Sequence, residues 1–235
     1  MARYKIADVV FEMPQKYEET APWYEEYITD EPLSLDVPLT YRQESVDYFV
    51  REGLDITPPI AENMVLCNVF NRMLLRCFNG SYIHSSAIKF KNKAYLFSAS
   101  SGVGKSTLTK RFCRLYPEDT KIINDDKPSF RLIDGKCIIY GTPFAGGTSI
   151  QCNDKAELGA IVFIERAEKD KLVRLTSQEV MPLLFSQVPR KYNSELMDKV
   201  LSLYDEIISK YPFYKLYCTN SDEAVHTVFE ITEQF

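Results

Sequence analysis

The sequence reads as a mixed α/β protein with a phosphate-binding strand–loop–helix unit near its middle and a small β-rich region at its amino-terminal end. Three observations lead there. The segment A-S-S-G-V-G-K-S-T (99–107) follows an apolar strand and opens a helix. Runs with a strand's period of two alternate with runs of helical period from residue 57 onward. The pair Asp134-Gly135, set between two apolar runs, signals a tight hairpin, and hairpins do not belong to a purely parallel sheet.

Residues 1–50 start with an alternating, aromatic-rich run (4–11) and continue through acidic, Pro-bearing stretches, 25–32 and 35–40, expected as short strands. The alternative for this region is a poorly ordered leader. Residues 51–235 form the main domain. A helix is expected over 57–78, with Pro58 and Pro59 in its first turn; Ile60, Met64, Cys67, Phe70 and Leu74 share a face, and Asn79-Gly80 stops it. Strands follow at 82–90 and 94–97, then a helix at 105–116 with Leu108, Phe112 and Leu115 inward. Further strands are expected at 121–124, 130–133, 136–140, 160–164 and 213–218, and helices at 194–210 and 222–233. The stretch 172–186 is ambiguous, because Thr176-x-x-Glu179 looks like a capping box while Pro182 would kink the helix it starts.

Composition bounds the function. The chain has 235 residues, 45% of them hydrophobic and 26% charged, and a net charge of −5. An acidic balance argues against general nucleic-acid binding, which needs surplus Lys and Arg. No apolar run approaches the roughly 18 residues of a membrane helix, and the amino terminus lacks a signal-peptide pattern. The cysteines are scattered without a C-x-x-C pair, as in proteins of a reducing compartment. A cytoplasmic protein without nucleic-acid or membrane partners is expected, and a homo-oligomer is compatible with it.

The 99–107 segment fits the phosphate-loop pattern, with Ala99 where the first Gly usually stands. Gly102 and Gly104 allow backbone conformations and close approaches that a Cβ would block. Backbone N–H groups from Ser100, Ser101, Gly102, Val103, Gly104, Lys105, Ser106 and Thr107 would then cradle phosphate oxygens at a helix N-terminus. Lys105 supplies a mobile cation for the β and γ phosphates, and the Ser106 hydroxyl is a hard ligand for Mg²⁺. ATP with Mg²⁺ is the expected cofactor pair. Asp125-Asp126 ends a strand about twenty residues further on, where a metal-holding carboxylate is needed. One carboxylate can hold Mg²⁺ and the other can accept the proton of an attacking hydroxyl; a solvated turn is the other reading of N-D-D-K-P. His84, in Y-I-H-S-S-A, is either structural or part of the site. His226 has no chemical neighbours in sequence and is taken as structural.

These residues resemble the HPr serine kinase/phosphorylase family and, more distantly, the nucleotide domain of phosphoenolpyruvate carboxykinase. I-H-S-S-A (83–87), the loop itself and I-I-N-D-D (122–126) carry the likeness, and Y-G-T-P-F-A-G-G (140–147) and A-I-V-F-I-E-R (160–166) extend it. The resemblance implies a carboxykinase-like phosphate-loop fold with a mixed sheet. It implies an active-site place for His84, with Asp125 as general base and Asp126 as metal ligand, roles the two could exchange. The loop departs from the family in ending Gly-Lys-Ser-Thr rather than Gly-Lys-Ser-Glu. The resemblance implies an ATP- and Mg²⁺-dependent kinase that transfers the γ-phosphoryl group to a hydroxyl, serine foremost, on a small protein, a peptide or a small molecule. The competing reading is a nucleotide-binding regulatory protein without phosphoryl transfer. Arg131 and Arg166 are the candidates for a supplementary arginine.

Overall fold

The computed structural model describes residues 1–235 except 37, 54, 101, 189–191, 220 and 233–235; the side chains of 147 and 230–232 also lie outside the description. The chain opens with an antiparallel hairpin, β1 (Ala2–Ile6) and β2 (Val9–Met13). Its turn residues Ala7 and Asp8 have φ of 53° and 57°, the left-handed geometry that matches the twist of paired strands. Arg131 Nη1 donates to Ala7 O at 2.8 Å, and the Asp8 carboxylate accepts from Tyr140 Oη at 2.9 Å and Lys155 Nζ at 2.6 Å. Arg131 is thereby committed to the fold.

Two 3₁₀ turns, Glu18–Trp23 and Glu25–Tyr27, replace the strand expected over 25–32. Tyr24 and Tyr27 are both buried, and a spacing of three is the repeat of a 3₁₀ turn, not of a strand. Only Ile28 keeps a single bridge, to Tyr4. The described residues of 35–40 form no strand either. Helix α1 (Gln43–Glu52) was not legible, because Val46 is its one buried residue and no side chain caps it. Helix α2 (Pro58–Cys77) starts on its two prolines, as expected, and stops before Asn79, whose φ is 47°. It packs Leu66, Cys67, Phe70 and Leu74 into one apolar cluster with the amino-terminal hairpin, Tyr140 and Phe144.

The rest of the chain builds a mixed sheet. Strands β3 (Gly80–Tyr82), β4 (Ser86–Phe90) and β5 (Lys93–Ser98) precede helix α3 (Lys105–Leu115). Strands β6 (Thr120–Asn124), β7 (Ser129–Ile133), β8 (Lys136–Tyr140), β9 (Lys155–Arg166) and β10 (Lys171–Arg174) follow, then helices α4 (Ser177–Phe185) and α5 (Ser194–Lys210), strand β11 (Phe213–Cys218) and helix α6 (Asp222–Thr232). Among the described residues the strand order is β3-β7-β8-β9-β5-β4-β6, with β11 beside β9 and β10 outside β11. β9 runs parallel to β5 and β11; the other ladders are antiparallel.

The expected single strand over 82–90 is two strands, with a break at Ile83-His84-Ser85. In a flat sheet the five steps from β3 to β4 would separate them by about 24 Å at ~4.8 Å per strand. The four peptide steps from Tyr82 to Ser86 reach about 14 Å at most. The sheet therefore curls until its two edges approach. Residues 125–128, joining β6 to β7, cross the same seam. The two crossings hydrogen-bond to each other, Ser85 N to Asp126 O at 3.0 Å and Ile83 N to Pro128 O at 3.4 Å.

Both faces of the central strands are covered, so β5 is apolar from Ala94 to Phe97 and β9 from Ala160 to Ile164. Leu96, Ile161 and Phe163 face α4 and α5; Phe97, Val162 and Ile164 face α3 and α6. The 172–186 ambiguity resolves into β10 and α4, where the Thr176–Glu179 capping box forms and Pro182 lies inside the helix. Asp134-Gly135 makes the expected hairpin between β7 and β8, with φ of 49° and 75°. No helix among the described residues is long and apolar enough to cross a membrane.

Phe112 is fully buried between the rings of Phe90 and Phe97. Phe112→Ala should lower unfolding stability by about 3–5 kcal/mol, read from the urea midpoint; a loss under about 1 kcal/mol would show that the α3 face is not packed as described.

Candidate functional site

The 99–107 segment leaves the C-terminal end of β5 and enters α3 through Gly104, whose φ is 123°. Gly102 also has positive φ, 78°, with open space where a Cβ would stand. Ala99 keeps negative φ, so the missing first glycine is tolerated. The first turn of α3 leaves its backbone N–H groups without intrahelical partners, and they face a cleft of about 360 Å³. Gly102, Gly104, Lys105, Ser106 and Thr107 line that cleft together with His84, Asp125 and Asp126. Ser100 lines a neighbouring cavity, Val103 packs toward the apolar cluster beneath α3, and Ser101 lies outside the described residues.

Lys105 Nζ donates to Ala99 O at 2.8 Å. Burial pulls its pKa below the usual lysine range, while Asp126 and Asp125 oppose that pull. Arg166, at the end of β9, also lines the cleft and holds the loop by its carbonyls, with Nη2 to Gly102 O at 2.7 Å and Nε to Val103 O at 3.1 Å. Of the two candidate arginines, this is the one beside the loop.

The two aspartates occupy different environments. Asp125 is 4% exposed. Its Oδ1 accepts from Ser86 Oγ at 2.6 Å, and Ser86 Oγ lies 3.0 Å from Thr109 Oγ1 on α3. Its Oδ2 is buried and has no hydrogen-bond partner among the described residues. Asp126 has both oxygens engaged: Oδ1 lies 3.0 Å from His84 Nε2 and Oδ2 2.6 Å from Lys127 Nζ. Burial alone would push its pKa up, but the His84 hydrogen bond and the Lys127 ammonium outweigh burial and hold it at about 2. Among the described residues no three His, Cys, Asp or Glu side chains converge as a metal cage. A divalent ion at Ser106 and an aspartate would have to complete its shell with phosphate oxygens and water, as Mg²⁺ commonly does.

Sequence reasoning missed the groups that position these residues. Asn124, fully buried, donates from Nδ2 to Thr142 O at 2.9 Å and to Thr142 Oγ1 at 3.1 Å. Its Oδ1 accepts from Asp126 N at 2.9 Å and Lys127 N at 2.7 Å. One amide thus clasps the aspartate turn to the turn after β8. Gly141 there could be nothing else, because a Cβ would lie 1.9 Å from Cys152 O. Gly146 has φ of 60°, and a Cβ would lie 2.8 Å from Asp126 Oδ2. Gln187, after α4, accepts from His84 N through Oε1 at 3.0 Å and donates through Nε2 to Ser98 Oγ at 3.0 Å; Ser98 Oγ donates to His84 O at 3.0 Å. This ring fixes the backbone of His84. Nothing in local sequence marks Gln187, which meets His84 across 103 residues. Cys67 lies beneath the site, but burial pushes its thiol up to about 12, so it serves as a core residue. His226 lies 3.1 Å from Tyr116 Oη, away from the cleft.

No protein-family model matches the chain, and no curated protein matches it. Among solved structures it is similar to the HPr(Ser) kinase/phosphatase from Coxiella burnetii, with a TM-score of 0.36 and 14% identity over 66% of this chain and 99% of that one. A likeness at that level assigns neither family nor activity.

Asn124→Ala should cost roughly 2–4 kcal/mol in urea unfolding, because it strands the N–H donors of Asp126 and Lys127 in one turn and the carbonyl of Thr142 in the other. A change within 0.5 kcal/mol would overturn the clasp. Acid stability gives a second check. A folded pKa near 2 against 3.8 for an ordinary aspartate makes Asp126 stabilising at neutral pH, an effect on the order of 2 kcal/mol that fades as pH falls from about 4 toward 2. Asp126→Asn should flatten that part of the stability–pH curve; an unchanged slope would show the pairing with His84 and Lys127 to be absent.

Proposed function

We propose that the protein is an ATP- and Mg²⁺-dependent kinase that moves the γ-phosphoryl group to a hydroxyl, serine foremost. The observation that supports this most is the grouping of Lys105, Ser106, His84, Asp125 and Asp126 around one cleft at a helix N-terminus. Loop N–H groups and Lys105 bind and orient the phosphates. Ser106 and Asp126 hold Mg²⁺, which supplies charge neutralisation on the phosphate oxygens when bound. Asp126 suits an electrostatic role because its low pKa keeps it ionised, and the same low pKa makes it a poor base. Asp125 is the better base, since its Oδ2 has no hydrogen-bond partner among the described residues. The acceptor oxygen bonds to the γ-phosphorus as the bond from that phosphorus to the β–γ bridging oxygen breaks. The hydroxyl proton passes to Asp125, and ADP leaves. Arg166 keeps the loop in shape through Gly102 O and Val103 O.

The test uses γ-labelled ATP and Mg²⁺ with free serine, HPr or a lysate as acceptor. Asp125→Asn should retain nucleotide binding and lose at least about 100-fold in label transfer, the usual worth of a general base. Transfer at the wild-type rate sinks the base assignment, and nucleotide binding with no transfer to any acceptor favours the regulatory reading.

A further inference from the structure

Behind the first residues of the phosphate loop lies a second cavity of about 520 Å³. Among the described residues His84 lines both it and the nucleotide cleft. Both spaces open at the C-terminal ends of the parallel strands β5 and β9, the end where such sheets take ligands. The second cavity falls in the range of small-molecule sites, about 300–1,000 Å³.

Its charges are arranged by sign. Lys127 lines the cavity and its partner Asp126 lines the cleft, with Lys127 Nζ 2.6 Å from Asp126 Oδ2 where the two spaces adjoin. Glu165 on β9 and Lys215 on β11 form the other charged patch, 3.1 Å apart. Ser98 and Gln187 also line the cavity, their hydroxyl and amide groups held in the hydrogen-bonded ring with the His84 backbone. Tyr82, Phe163, Ile164 and Leu183 are also in the lining, and a ligand that suits the polar part of these walls carries both signs of charge and a hydrogen-bonding group such as a hydroxyl.

We propose that this cavity is the acceptor site and that it takes a free hydroxy-amino acid of the serine or threonine class. The proposal rests on the phosphoryl-transfer reading above. The ligand's carboxylate meets Lys127, its ammonium meets Glu165, and its hydroxyl is presented past His84 toward the cleft. Transfer then forms the bond from the hydroxyl oxygen to the γ-phosphorus, breaks that phosphorus's bond to the bridging oxygen, and releases ADP as the proton passes to Asp125. Lys215 sets the strength of the ammonium pocket by sharing Glu165.

Calorimetric titration of the full chain with L-serine and L-threonine, with and without Mg²⁺ and a non-hydrolysable ATP analogue, tests this. One of the two amino acids should bind. Glu165→Lys should weaken that binding at least tenfold without changing affinity for the analogue, and the reversed pair Glu165→Lys/Lys215→Glu should restore most of it. The analogue bound, but neither amino acid bound up to about 10 mM, overturns the cavity assignment and leaves the kinase reading standing. So does adenosine displacing the amino acid, or transfer confined to peptide and protein acceptors. Amino-acid binding by a chain that takes no nucleotide keeps the cavity assignment and removes the kinase reading.

Discussion

Four peptide steps between Tyr82 and Ser86 set the shape of the whole sheet. They join strands that a flat sheet would hold much further apart, so the sheet has to curl and bring its edges together. The linker at the seam carries His84. The second crossing, from β6 to β7, carries Asp125 and Asp126. Backbone hydrogen bonds hold the crossings side by side, and the pairing of His84 with Asp126 follows from that registry. The 99–107 loop then leaves β5, next to β4 and close to the seam. Closure of the sheet and assembly of the cleft are one event.

The amino-terminal residues contribute to the same end. Tyr24 Oη donates to Asn63 Oδ1 at 2.8 Å, and Asn63 Nδ2 reaches Pro143 O at 3.4 Å. Phe144 packs between Tyr24 and Phe70. Glu26 holds Asn153 through N and Nδ2. The buried Glu62 accepts from Lys16 N and from Tyr41 Oη, which ties the amino-terminal residues to α2. Residues 141–154 pass over the cleft and have no regular strand pairing of their own beyond a bridge at Gln151. Their conformation is set by Asn124 from below and by this aromatic and carboxylate framework from outside.

Much of this was legible in the sequence, and the limits have physical causes. The loop, α3, β6 and the Asp134-Gly135 hairpin declared themselves because their chemistry is local: glycines at positive φ, a helix N-terminus, a two-residue turn. The β5 and β9 runs were visible as apolar stretches. The Glu25–Tyr27 turn was misread because Tyr27-Ile28-Thr29 has the composition of a strand. The break at His84 was invisible because it is imposed by which strands pair, not by any breaker residue; Ile83 and Ser85 would sit well in a strand. Asn124 and Gln187 were passed over for the same reason. An amide's importance depends on its partners, and those stand 18 and 103 residues away. Arg131 and Arg166 were equivalent on paper, and only topology separated a residue that braces a hairpin turn from one that grips the loop.

Strand β9 has a further consequence. Along one edge it pairs with β8 through residues 155–157 and with β11 through residues 161–166, so the sheet forks around a single continuous strand. Gly159 sits at the fork, where a Cβ would press within 2.9 Å of the Tyr95 ring. A forked sheet with an unbroken shared strand has no hinge line between its branches, since separating them would mean snapping β9 itself. Any tightening around a bound molecule must come from the segments at strand ends, the glycine loop and the 141–154 crossing, moving against a chassis that stays still.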